Sequence, residues 1–215
     1  MPASFNMLTV IVGGFVTVSL IGRFGSANVA GYAVGLRLEQ VLLLPALGLN
    51  SAVMAIAGQN FGAGESRRVR DTYKSGLQVG LVMALILIPV MLFLSPLMMG
   101  FFSSNPEIIA TGTTYLRIDA LAYYPYVVLF LSTAMLQALK QPLFPMVLGI
   151  IRQLLLPASI NYLLIVIYGL PMVSVFVTII VVVFCSSFVS HYYTKRQLRQ
   201  CNGLPATTPA AARSA

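Results

Sequence analysis

Six runs of apolar residues, at about 6–22, 28–57, 76–101, 108–138, 143–168 and 172–193, take up most of this chain. Each is long enough to cross ~30 Å of hydrocarbon as a helix. The chain has 215 residues, of which 58% are hydrophobic and only 8% charged, and its mean hydropathy is +0.89. A water-soluble domain carries roughly a quarter charged residues, so the solvent implied here is lipid. The expected fold class is an all-α membrane protein. A six-transmembrane-helix bundle occupies residues 1–200, and a small, polar, proline-bearing cytoplasmic tail at 201–215 is expected to be disordered. Turn sequences separate the runs: RFGSAN, GAGESRRVRDTYKSG, FSSNPE, KQP and YGLP. The second and fourth runs are about 30 residues long and hold Pro45 and Pro125, so tilt or a kink is expected in each.

Charge sets the orientation. Arg67, Arg68, Arg70 and Lys74 follow the second run, Lys140 follows the fourth, and Lys195, Arg196, Arg199 and Arg213 lie in the tail. The opposite side receives only Arg23 and Glu107. The positive-inside rule then puts both termini in the cytoplasm. The net charge of +8 is a topology signal and does not imply a nucleic-acid partner, since little aqueous surface is left to carry a basic patch. Residues 1–5, MPASF, lack the basic start of a cleavable signal peptide. Cys185 and Cys201 fall in an apolar run and in the tail, which favours two reduced thiols.

The stretch AGQNFGAGESRRVRD, residues 57–71, has the glycines and basic residues of a phosphate loop. It lacks the lysine and the preceding strand that such a loop needs. The better reading is a helix end. Gly58, Gly62 and Gly64 terminate the helix and allow close packing, while Gln59 and Asn60 hydrogen-bond the freed carbonyls.

The segment VAGYAVGLRLEQVLLLPALGLNSAVMAIAGQNFGAGESRRVR, with its Gly-Gln-Asn-x-Gly-Ala-Gly and Arg-x-x-Arg, resembles the multidrug and toxic compound extrusion (MATE) transporters. YLRIDALAYYP and MLQALKQPLFPM are similar to that family's fourth helix and following loop. The resemblance covers about residues 1–200 and is closest to the C-terminal six-helix lobe of a twelve-helix, two-lobe transporter. It implies export of small organic cations in exchange for H+ or Na+, the coupling ion, with no other cofactor. It also implies a missing N-terminal lobe, or a second copy, as partner beside membrane lipid. A helix starting at Met1-Pro2 fits the middle of a longer protein. Sodium-coupled relatives have an acid in the first helix of this lobe, whereas MLTVIVGGFVTVSLIG has none, and Tyr126 stands where they carry an aspartate. This is similar to the DinF-like branch, which implies an ion-coupling carboxylate in the other lobe.

Four charges inside the apolar runs stand out. Arg37 and Glu39 sit in L-R-L-E-x5-P, and Arg117 and Asp119 in L-R-I-D-x5-P, with identical spacing. An ionisable group at mid-bilayer costs about 3 kcal/mol, so each should face a partner or a cavity. Residues i and i+2 point about 200° apart around a helix, so neither arginine faces the acid on its own helix. Cross-helix pairs, Arg37 with Asp119 or Arg117 with Glu39, are expected, as neutralising bridges or with one carboxylate free for a cation. Asp119 is the stronger cargo candidate because Tyr123 and Tyr126 follow on its face as aromatic partners for a cation. Asn50 shares the face of Glu39. Arg152 is expected to snorkel to the cytoplasmic head groups or to meet an acid of the other lobe. His191 reads as an interfacial anchor. No catalytic set and no His/Cys metal cluster appears, so the chain does not read as an enzyme. Two other readings stay open: a lipid-linked sugar flippase, whose cavity would be rich in arginine, and a truncated chain inactive in transport on its own.

Overall fold

The computed structural model describes residues 2–200, with side chains from residue 11; the tail expected at 201–215 lies outside them. Among the described residues the backbone consists of helices and short turns, without a strand. In chain order the helices are α1 (Pro2–Ile21), α2 (Ser26–Gly62), α3 (Ser66–Gly100), α4 (Pro106–Ala120), α5 (Tyr123–Ala138), α6 (Leu143–Ile150), α7 (Leu156–Tyr162) and α8 (Val173–Gln200). They build six rods that coincide with the six apolar runs, because α4 with α5 forms one bent rod, and α6 and α7 run on as one continuous span, Leu143–Ile167.

The turns follow from local chemistry. At the end of α2, Glu65 N–H bonds to Asn60 O and Gly64 N–H to Phe61 O, with Gly64 at φ 77°. This is the paired closure of a Schellman motif, which needs a left-handed residue that glycine adopts without strain. The same closure ends α5 through Gln141 N–H to Leu136 O and Lys140 N–H to Gln137 O, here with Lys140 at φ 60°. At the start of α4, Asn105 caps the helix by accepting from Glu107 N–H, and Pro106 fills the first turn, where its missing N–H costs nothing.

One expectation needs correction, and one kink is found where a proline led to it. The break expected over GAGESRRVRDTYKSG is only residues 63–65, because α3 already begins at Ser66. Its first turns are polar, with an exposed Arg67–Asp71 ion pair at 3.9 Å and Thr72 Oγ1 bonded to Arg68 O, so the helix runs on past the apolar layer. The kink expected in the fourth run is a 57° bend at Leu121–Ala122, one turn before Pro125. Pro125 has no N–H for the carbonyl of Leu121, so the ladder opens there and the proline falls in the first turn of α5. The fifth rod is straight α-helix only in parts: Ile151–Leu155 and Leu163–Ile167 are π-turns. Pro157 clashes with the turn below it and has no N–H for Gln153, and the wider turn just before it absorbs that mismatch.

α2 packs along α3, α4 and α5, α5 lies against α8, and α1 leans on α7. Large apolar side chains cover much of the outer faces, with Phe93 76% and Phe188 75% exposed. Such a coat is stable only in hydrocarbon. Ser26–Gly62, Ser66–Gly100, Leu143–Ile167 and Val173–Gln200 are each long and apolar enough to cross a membrane, and the bent α4–α5 rod supplies a fifth span. The chain is a multi-pass integral membrane protein.

Candidate functional site

Three glycines bring α2 and α4 together. A Cβ on Gly31 would stand 2.7 Å from Ile108 O, one on Gly35 would stand 2.8 Å from the ring of Tyr115, and one on Gly112 would run into Met99 and Gly31 O. Only hydrogen fits, so the backbones approach as small-residue stripes allow in lipid. Gly31, Gly35 and Glu39 follow at intervals of four on one face of α2, opposite Thr111, Tyr115 and Asp119 at the same interval on α4.

That register sets the polar contacts. Tyr115 O–H donates to Glu39 Oε2. Tyr115 is fixed from behind by Tyr32, with ring centroids 5.0 Å apart and edge to face, and by Phe176 at 5.1 Å. Glu39 is 6% and Asp119 3% exposed, and Asp119 Oδ1 is buried with no hydrogen-bond partner. Glu39 opens onto a cavity of about 320 Å³ bounded by α1, α2, α4, α5, α8, the π-turn before α7 and Pro157 at the start of α7. Its wall includes Gly13 and Thr17, the rings of Tyr32, Tyr115, Tyr126 and Phe130, and the polar groups of Gln40, Arg152 and Gln153. Gly13 lets α1 press against the Gln153 carbonyl.

The expected cross-helix bridges do not form. Among the described residues the Arg67–Asp71 pair is the one ion pair within 4 Å. Glu39 and Asp119 both face inward, and the 200° offset that keeps each arginine from its neighbouring acid carries Arg37 and Arg117 to the exposed surface. Arg117 instead donates from Nε to Leu92 O at 3.1 Å. Leu92 stands four residues before Pro96, which has no N–H to offer it, so Arg117 supplies the missing donor.

Tyr126 lines the cavity, but Tyr123 does not: the bend before α5 breaks the register with Asp119, and Tyr123 O–H reaches Leu42 O at 3.3 Å. Asn50 is half-buried outside the wall, and Asp119 sits behind the wall rather than in it. At the α2 end, Asn60 Nδ2 bonds to Ile56 O at 2.8 Å, within the helix rather than at a freed terminal carbonyl, and Gln59 is exposed. Gly58 and Gly62 have nothing within 4 Å of a built Cβ, so they mediate no packing within the chain; Gly64 is the residue the turn requires. His191 makes a contact within the bundle that the sequence did not show. Its Nδ1 lies 2.8 Å from Tyr73 O–H, which also meets Ser132 Oγ at 2.8 Å, tying α8 to α3 and α5. Sequence reasoning missed Tyr115 and Tyr32. The signal for Tyr115 was its place four residues before Asp119, one turn up the same face.

A MatE family model matches residues 2–163. The FAD transporter of Shewanella oneidensis is 29% identical over 156 residues, covering 72% of this chain and 34% of that protein. The multidrug export protein MepA of Staphylococcus haemolyticus is 27% identical over 140 residues, 65% of this chain and 31% of its own length. An outward-facing multidrug resistance MATE family transporter has a TM-score of 0.88 at 17% identity, covering 94% of this chain and 46% of that one. The match thus spans about a third of the curated relatives and about half of the solved transporter. The relatives do not single out the DinF-like branch.

Proposed function

The chain belongs to the MatE family and has the fold of one lobe of its transporters, and we propose that it serves secondary active efflux of amphiphilic organic cations by antiport against H+ or Na+. The observation that carries this reading is Glu39: a buried carboxyl on an aromatic-lined cavity, with a second buried acid behind it and no base paired to either. A negative charge in that position needs a neutralising partner. A cationic cargo and a coupling ion are two such partners, and competition between them for one carboxyl is the simplest antiport cycle. The rings of Tyr32, Tyr126 and Phe130 supply the apolar and π surface for the cargo body.

In this reading the chain is the C-terminal lobe, its termini are cytoplasmic, and it rocks against a second lobe, on the same polypeptide or from another copy, in a bacterial plasma membrane. The flippase alternative is less well supported, because of the three arginines that favoured it only Arg152 lines the cavity. The test is ethidium accumulation in an efflux-deficient bacterial host that expresses the protein from its own gene. Glu39→Gln and Asp119→Asn should each raise accumulation to the empty-vector level at unchanged membrane abundance. Efflux undiminished in both variants rejects the reading.

A further inference from the structure

Arg152, expected to snorkel to the head groups, lines the cavity instead. The cations placed to meet head groups are on α8. That helix is 28 residues long, and about 20 residues of helix cross the hydrocarbon, so from Val173 the apolar layer ends near Tyr192. Lys195, Arg196 and Arg199 follow, all exposed. With Tyr192 they recur at i, i+3, i+4 and i+7, which places the four on one face of the helix. Together with Gln200 they line a recess of about 380 Å³. α8 carries no acid, and among the described residues none of the three cations has an ion-pair partner within 4 Å.

The same face continues into the apolar layer. Phe188, Phe184 and Val181 stand about one, two and three turns before Tyr192, and all are exposed. Val181 is also a wall of an apolar groove of about 420 Å³ between the α7 rod and α8. The rise from Val181 to Tyr192 is about 16 Å, close to the depth of one leaflet, half of ~30 Å. The opposite face, with Ser190, Thr194 and Leu198, is buried. Gln141 Nε2 donates to Gln197 Oε1 at 3.1 Å, and Phe144 stacks on Tyr193 with ring centroids 3.8 Å apart. The cations therefore project from a backbone that is held in place.

We infer that this face of α8 seats an anionic phospholipid. Its phosphate lies among Lys195, Arg196 and Arg199, Tyr192 stands at the level of the ester groups, and an acyl chain runs along Phe188 and Phe184 to Val181. A guanidinium fork accepts two phosphate oxygens at once, and lysine adds a point charge. Unpaired cations just beyond an apolar stretch are the chemistry that anionic head groups recognise. The aromatic and aliphatic stripe makes the occupant a lipid, since a soluble phosphate has no use for it.

Native mass spectrometry of the purified chain tests this. The chain is released from neutral detergent micelles that hold equal amounts of phosphatidylglycerol and phosphatidylethanolamine with matched acyl chains. The wild type should retain phosphatidylglycerol over phosphatidylethanolamine by about tenfold. Lys195→Gln, Arg196→Gln and Arg199→Gln combined should bring that ratio to about 1. Arg67→Gln, Arg68→Gln and Lys74→Gln combined, which remove as many exposed charges from the start of α3, should leave it at the wild-type value. Equal retention of the two lipids by the wild type overturns the proposal. So does a preference that survives the α8 substitutions, or one that the α3 substitutions lower as much. Glycerol phosphate, the head without the chains, should not be retained; retention equal to that of the lipid would mark a free-anion site and overturn the lipid assignment. All six positions are exposed, and elution as a monodisperse peak with unchanged helicity identifies folded variants.

Discussion

Tyr115 on α4 and Glu39 on α2 are joined by a buried hydrogen bond, with the phenol donating to the carboxyl. The bond exists because Gly35, one turn before Glu39, leaves room for the Tyr115 ring against the α2 backbone. Tyr32 and Phe176 close on that ring, so the donor is held in one rotamer. Tyr115→Phe should therefore keep the packing and remove only the donor. The expected cost is about 1–3 kcal/mol, that of a buried acceptor left unmet. It is measured as a lower thermal midpoint in detergent, and ethidium affinity should fall with it.

The glycines divide into two kinds. Gly31→Ala places a methyl 2.7 Å from a backbone carbonyl of α4, which cannot turn aside as a side chain does. Overpacking of this sort costs about 1–3 kcal/mol. Gly58→Ala meets nothing within 4 Å and removes a flexible residue from a helix, so it should be neutral or gain roughly 0.5–1 kcal/mol. Melting curves of the two variants should move in opposite directions or differ by several degrees.

Lys140 sits at φ 60° at the end of α5, where glycine is at ease and a side chain is strained. Lys140→Gly should stabilise by about 1 kcal/mol, and Gly64→Ala, at φ 77° in the equivalent turn, should destabilise by a similar amount. Chemical denaturation of both variants checks the pair.

Arg117 and Pro96 are linked through Leu92 O. Arg117→Met should cost about 1 kcal/mol in the wild type, because the carbonyl loses its donor. In a Pro96→Ala background the helix supplies its own N–H, and the same change should cost less than roughly 0.5 kcal/mol. A double-mutant cycle on thermal stability measures the difference; additive effects would refute the link.

The rods could be read in the sequence because apolar runs longer than a bilayer's core leave little alternative to spanning helices. The opposed faces of Arg37 and Glu39, and of Arg117 and Asp119, could be read as well, since they follow from helical periodicity alone. Which pair turned inward could not. That depends on Gly31, Gly35 and Gly112 bringing α2 and α4 close enough for the acids to occupy the interface, a contact between residues about 80 positions apart. Tyr123 was misplaced because the bend falls at Leu121–Ala122 rather than at the proline that causes it. The Tyr73 partner of His191 was not foreseen because Tyr73 lies on the polar opening turns of α3, where a loop was expected.

The central claim is that the Glu39 carboxyl holds the cationic group of the cargo. Ethidium fluorescence titrated into the purified chain, wild type against Glu39→Gln, tests it most directly, because glutamine keeps the size and the acceptor for Tyr115 while removing the charge. The account predicts at least roughly tenfold weaker binding in the variant, about 1.4 kcal/mol, with the fold intact. Equal affinity in the two proteins would contradict it.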